Sequence, residues 1–396
     1  MQIVSAYTMT TEMMLMKNES LNSSLLLYGD DDRDVVYQKT VDTIERVASP
    51  IVIGLGLAGN AVGSATLLRV AGLRCRGAGH LLVAVCVSDA VFLISLLATW
   101  LGPQYGRDYD LYNSDGWCEL LSLTTMSSNF LSTWFTVALG VERYIAVQRC
   151  CRCVIAVNGR ENLKSTMTKT SCGPTRTRVA IIALTVLAIV VYVNMVVNIG
   201  VATRDDGLAK CGPLQPAFDA MRVLLIKVDL IFNVIAPHLI IIGLYSTVGV
   251  RLAAWNCRRR QAANRLQPPM LTEEEDRAVS LTEIRLIKTA ILLSAVVVLL
   301  SAPSHAMRTV YVVAEMFRLP VPAWIGGSAV QLVVHELFYA SFAVPFFVVI
   351  ASHRRIRRSI VLSLQLALES LWKRLQVVCC GCSWQASSQT TEIAEL

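Results

Sequence analysis

The chain has 396 residues, of which 54% are hydrophobic and 16% charged, with a mean hydropathy of +0.52 and a formal net charge of +7. Soluble domains carry about a quarter charged residues, so this balance excludes an ordinary water-soluble protein and points to a membrane. The 22 Gly, 12 Pro and 12 Cys are ordinary numbers for such a length and exclude fibrous repeats, disulfide-rich scaffolds and disordered chains.

A helix crossing a hydrocarbon core of roughly 30 Å needs about 20 mostly apolar residues. Seven stretches meet that requirement: Val47–Leu68, Leu81–Leu101, Leu120–Val141, Val179–Thr203, Met221–Val250, Thr289–Val313 and Ala323–Ser352. The predicted fold is therefore all-α, a seven-transmembrane-helix bundle. It divides into an N-terminal tail at 1–46, the membrane domain at 47–352 and a C-terminal segment at 353–396. Residues 1–30 lack an uninterrupted apolar core, so the first span is expected to act as the signal anchor.

Short loops rich in Lys and Arg stay in the cytoplasm. The N-terminal tail and the loops 102–119, 204–220 and 314–322 hold 8 basic residues; the segments 69–80, 145–178, 251–288 and 353–396 hold 24. This places the N-terminus outside and the C-terminus inside. The acceptor triplets at Asn18 and Asn22 lie in the outer tail, where glycosylation occurs. Of the 12 Cys, only Cys118 and Cys211 fall in outer, oxidising segments, so these two are expected to form a disulfide.

On the inner side, Arg354, Arg355, Arg357 and Arg358 precede Ile360, Leu364, Leu368, Leu371 and Leu375, the pattern of an additional amphipathic helix lying on the inner leaflet. Cys379, Cys380 and Cys382 follow it as palmitoylation acceptors. With Cys150, Cys151 and Cys153 they also offer two C-x-x-C spacings, which could make a zinc site; acylation is the better reading, and no metal or other cofactor is assigned. Gly54-Leu55-Gly56-Leu57-Ala58-Gly59 spells a dinucleotide fingerprint. It lies inside a span with no strand before it, so Gly59 and Gly63 are read as helix-packing positions. No catalytic constellation appears, so the chain is not read as an enzyme. The positive charge faces lipid or an acidic partner rather than nucleic acid.

Polar groups inside a span are expensive and mark functional candidates. Asp89 stands alone in the second span, to be protonated, cation-bound or held in a polar network. Ser122, Thr125, Asn129, Ser132 and Thr133 follow helical steps on one face of the third, with Cys118 above and Arg143 below. Asp229 and Asn233 precede Pro237, while His305 and Arg308 follow Pro303; Asp229 and Arg308 either pair with each other or are bridged by a ligand. A ligand pocket is expected on the inward faces of Trp100, Thr125, Asn129, Asp229, His305, Arg308 and Gln331. Asp229 is the acid placed to receive a cationic side chain.

From about Pro50 to Leu375 the chain resembles the rhodopsin-like (class A) G-protein-coupled receptors. Gly59-Asn60, Leu82 with Asp89, Glu142-Arg143-Tyr144, Pro237 with Tyr245, and Pro303 stand where that family has its signatures; Cys118 stands 25 residues before Arg143, at the place of the family disulfide. The resemblance implies G-protein coupling through Glu142, Arg143, Tyr144, Tyr245 and Glu283. Arg143 would be held by Glu142 and Glu283 at rest, and the sixth helix would swing outward on activation. It also implies an intramembrane polar network of Asn60, Asp89, Ser132 and Ser341.

Several positions depart from the family. Val344-Pro345-Phe346-Phe347-Val348 replaces N-P-x-x-Y, Ser301 replaces the sixth-helix Trp, and Val297 replaces a Phe. The missing Trp and the acidic run Asp30, Asp31, Asp32 and Asp34 make the chain most similar to invertebrate FMRFamide and myosuppressin receptors. The implied function is a plasma-membrane receptor with a heterotrimeric G protein and an extracellular neuropeptide as partners. The competing readings are a chemosensory receptor for a small molecule and a transporter, the latter without inverted repeats in its support.

Overall fold

The computed structural model describes residues 31–69, 77–105, 114, 116–156, 174–196, 199–203, 209–213, 226–263, 273–322, 325, 327–352, 357 and 369. Among the described residues the chain is almost entirely helical. The seven α-helices are α1 (Asp31–Arg69), α2 (Gly77–Tyr105), α3 (Trp117–Ala156), α4 (Pro174–Val196), α5 (Ala236–Ala263), α6 (Glu273–Phe317) and α7 (Ser328–Ser352). A two-stranded hairpin, β1 (Ile199–Thr203) and β2 (Ala209–Pro213), follows α4, and a π-helical turn, Leu230–Ile235, leads into α5.

Six of the helices are long and apolar enough to cross a membrane, in the stretches Lys39–Arg69, Gly77–Leu101, Thr175–Val193, Ile226–Ala254, Ile287–Ala314 and Ala329–Ala351. The helix outside that set is α3. Its hydropathy is lowered by Ser122, Thr124, Thr125, Ser127, Ser128, Asn129, Ser132, Thr133 and Thr136, most of them buried within the bundle.

The distribution of polarity is the reverse of a soluble protein's. Asn60, Asp89, Asn129, Arg143, Asp229 and Asn233 are buried, while Ile182, Val186, Leu187, Ile189, Val190, Leu239, Ile242 and Leu299 are exposed. Such an apolar exterior needs a lipid solvent. The chain is a multi-pass membrane protein.

Two differences from the sequence expectation concern element ends. The predicted fourth span runs to Thr203, but α4 ends at Val196 and residues 199–203 form β1. The apolar run is continuous there because α4 presents apolar residues to lipid while Ile199 and Val201 of β1 pack in the disulfide-linked cluster. Val201 faces Cys211 in the antiparallel register, and the Cys118–Cys211 disulfide fastens the hairpin to the start of α3, with 5.6 Å between Cα atoms. At the other end, the backbone from Asp31 onward is already helical, so α1 begins well ahead of the first predicted span.

Gly56, Gly59 and Gly63 of α1 form a packing groove, whereas Gly54 faces open space. A Cβ on Gly56 would come within 2.5 Å of Leu93 and 2.9 Å of Ala343, and one on Gly59 within 2.7 Å of the Phe346 ring. Gly63 faces the same ring at 3.0 Å. Phe346 thus lies against α1 and ties α7 to it. Between α2 and α7, Phe92 stacks on Phe342 with ring centroids 3.9 Å apart and meets Phe338 edge-on at 5.9 Å.

Candidate functional site: buried polar clusters along the bundle

Three polar clusters lie inside the apolar bundle. The first joins α4, the turn before α5, and α6. Asp229 precedes the π-helical turn and is buried; its Oδ1 accepts from the Tyr192 hydroxyl at 2.5 Å, and its Oδ2 takes the Arg308 guanidinium. Tyr192 escaped the sequence reading. It sits in an unbroken apolar run of α4, and only the rotation of that helix turns its hydroxyl inward.

The turn next to Asp229 has a local cause. In π geometry the Ala236 N–H bonds to the Ile231 carbonyl. The next donor in line would be residue 237, which is proline and has no N–H, so the Phe232 carbonyl loses its partner. Trp134 of α3 supplies one, donating from Nε1 to that carbonyl at 3.2 Å. In a membrane such a replacement is close to obligatory, because no water is there to serve.

Below this cluster, His305 of α6 meets His238 of α5 edge-on, with centroids 4.6 Å apart, and meets Phe338 at 5.8 Å. His238 Nδ1 lies 2.7 Å from the Val234 carbonyl, which can only accept, so Nδ1 carries the hydrogen there. Its Nε2 lies 3.2 Å from the Ser301 hydroxyl, which also reaches the Val297 carbonyl at 2.8 Å. The small Ser301 thus leaves room for a His238–His305 pair.

The other expected pocket residues occupy separate settings. Thr125 is buried, but its hydroxyl donates to the Leu121 carbonyl of its own helix at 2.7 Å. Asn129 is buried on the same face. Trp100 Nε1 on α2 is buried without a hydrogen-bond partner among the described residues, as is Ser122 Oγ on α3. Gln331 of α7 meets the Tyr311 hydroxyl of α6.

The second cluster surrounds Asp89. Ser132 donates to Asp89 Oδ1 at 2.5 Å, and Asp89 Oδ2 has no hydrogen-bond partner among the described residues. The remaining two members of the expected network are engaged elsewhere. Asn60 Nδ2 donates to the Phe342 carbonyl at 2.9 Å, and Ser341 donates to the Phe338 carbonyl of its own helix at 2.6 Å. No described side chain of α7 bonds to the carboxylate; Asn60 instead pins α7 just ahead of Pro345.

The third cluster lies at the far end of α3. Arg143 is 2% exposed and chelates Glu142 Oε2 through Nε at 2.8 Å and Nη2 at 2.5 Å. A Cβ on Gly77 would lie 3.4 Å from Glu142 Oε1, so the carboxylate abuts the first turn of α2, on the favourable side of its dipole. Tyr245 of α5 is buried against Gly140 of α3, where a Cβ would meet its ring at 3.1 Å. Tyr144 stacks under the Arg251 guanidinium at 5.2 Å. The Glu283 backbone is helical within α6, and its side chain lies outside the described part. Asn18, Asn22, Cys379, Cys380 and Cys382 also lie outside the described residues, as does most of the basic segment after Ser352.

No protein-family model matches the chain, and no curated protein matches it either.

Proposed function

We propose that the chain is a seven-span receptor of the rhodopsin-like kind, in which α3 joins the six apolar helices as the central span. The N-terminus is outside and the C-terminus is inside the plasma membrane. An extracellular ligand, a neuropeptide in the first instance, biases the bundle toward a state that activates a heterotrimeric G protein.

One observation carries this reading. A single helix bears the Cys118–Cys211 disulfide at one end and the buried Arg143–Glu142 pair at the other. The 25 residues from Cys118 to Arg143 span about 37 Å at roughly 1.5 Å each, slightly more than a hydrocarbon core of roughly 30 Å. The polar side chains between them face the bundle rather than lipid, which lets α3 cross despite its lower hydropathy. A rigid rod connecting a clamped outer loop to a charged inner pair suits the transmission of a ligand signal.

The structure also gives support to the small-molecule alternative. Both oxygens of Asp229 are engaged by Tyr192 and Arg308, so a cationic peptide side chain would have to displace Arg308 to reach the acid. A neutral ligand would not. The test is a screen of amidated peptides and small odorants on cells expressing the chain with promiscuous G proteins. A saturable response that depends on the chain supports the receptor reading and identifies the ligand class. Ion or solute flux driven by the purified protein, with no G-protein response, would favour the transporter.

A further inference from the structure

α5 and α6 pack loosely, and between them opens a cleft of about 280 Å³ lined by Ile241, Ile242, Tyr245, Ser294, Ile291 and Val298, with Ser246 and Ala295 at its rim. Its size falls just below the roughly 300–1,000 Å³ typical of small-molecule sites, and the cleft is open to the lipid side. Ile242, Ser246 and Ala295 are exposed, so the cleft opens on the outer surface of the bundle, where the solvent is lipid. The Tyr245 hydroxyl and Ser294 Oγ are buried, their residues 7% and 1% exposed. The two hydroxyls are close enough to interact with each other across the cleft, and neither has a further hydrogen-bond partner among the described residues. A hydroxyl pair with spare hydrogen-bonding capacity, facing an apolar cleft in hydrocarbon, suits an occupant with one polar group and a large apolar body.

We propose that this cleft binds a sterol from the surrounding bilayer, its single hydroxyl held between Ser294 and Tyr245 and its rings laid against Ile241, Ile242 and Val298. Depth supports the assignment. The α6 span Ile287–Ala314 has 28 residues, about 42 Å at roughly 1.5 Å per residue, so it overhangs a core of roughly 30 Å by about 6 Å at each end. Ser294 lies seven residues from Ile287, about 10 Å along the axis, hence about 4 Å beneath the hydrocarbon boundary. On α5, Tyr245 is nine residues before Ala254, about 13 Å from that end, at a similar depth. Ile241, Ile242 and Val298 all lie toward the midplane from these hydroxyls.

An amphiphile with its hydroxyl just under the headgroups and its body pointing inward matches this order; an acyl chain offers no donor, and a charged headgroup sits too high. A hydroxyl both donates and accepts, so one sterol oxygen satisfies both side chains. The walls are mostly β-branched and stiff, and a rigid ring system loses little freedom on binding them. The proposal requires only that α5 and α6 cross a membrane, and so stands or falls separately from the receptor reading.

The experiment uses the full chain in phosphatidylcholine vesicles containing a photoreactive diazirine sterol, with adducts mapped by mass spectrometry. Labelling is expected on α5 and α6 around Ile242 and Val298, saturable and competed by unlabelled sterol. Ala295→Trp, which fills the rim from the lipid side, should lower it by about fivefold or more. Ser294→Ala should weaken binding about five- to tenfold, the worth of one hydrogen bond, while Ser294→Thr retains it. The thermal midpoint of each variant shows that it remains folded. Labelling that does not saturate, that spreads equally over the lipid face of α4, or that is competed as well by the steroid hydrocarbon lacking the hydroxyl would overturn the proposal.

Discussion

Asp229→Asn tests the arrangement that joins α4, α5 and α6. The substitution keeps the shape of the side chain and removes its charge. Arg308 and Asp229 have side chains only 12% and 9% exposed, so the guanidinium loses its counter-charge where water cannot replace it. Breaking a buried ion pair by removing one partner costs about 3–5 kcal/mol. The amide still offers Tyr192 or Arg308 a neutral hydrogen bond worth about 1 kcal/mol, leaving an expected loss of about 2–4 kcal/mol.

The assay is reversible unfolding of the detergent-solubilised chain, repeated for Arg308→Gln and for the double variant. Because the two residues share one interaction, the double variant should lose at least about 1 kcal/mol less than the sum of the single losses. Tyr192→Phe, which removes a bond to a charged acceptor, should cost about 1.5–3 kcal/mol alone and less when combined with Asp229→Asn. A loss below about 1 kcal/mol for Asp229→Asn, or strict additivity with Arg308→Gln, would refute the pairing.

Trp134→Phe leaves the Phe232 carbonyl without a donor and is expected to destabilise the bundle by about 1–3 kcal/mol, more than the same substitution at exposed Trp117. Gly59→Val drives a side chain into the Phe346 ring and should cost about 1–3 kcal/mol in the wild type but clearly less in a Phe346→Ala background; an equal cost in both backgrounds would mean that the groove in α1 serves something other than Phe346. Cys211→Ser opens a link between residues 93 apart, for which loop closure gives up to about 4.7 kcal/mol, and should lower the thermal midpoint and the fraction of chains at the cell surface.

Hydropathy made most helices legible in the sequence, because residues facing lipid must be apolar whatever they pack against. It failed at the hairpin for the same reason. Ile199 and Val201 pack in the disulfide-linked cluster rather than against lipid, and an apolar run alone cannot distinguish the two. The polar stripe of α3 was visible from its three- and four-residue steps, yet the partners of its members were not. Ser132 reaches Asp89 across to α2, whereas Thr125 bonds to its own helix, and only the rotation and depth of the neighbouring helices separate these outcomes. Tyr192 and Trp134 were invisible as site residues because the groups they serve, a carboxylate on another helix and a carbonyl orphaned by Pro237, exist only after assembly. Gly77 belongs with them, since its role is to leave space for Thr177 and Glu142.

The receptor reading is tested most directly at Arg143, buried against Glu142 and remote from the ligand side. The measurement is ligand-stimulated nucleotide exchange on a heterotrimeric G protein by membranes holding the wild-type chain or Arg143→Ala, matched for surface expression, with the active compound from the screen. The expected result is robust exchange from the wild type and none from the variant, which still binds the compound with little change in affinity. Exchange of equal size from Arg143→Ala, or ligand binding by the wild type that stimulates no exchange on any G protein, would contradict the account.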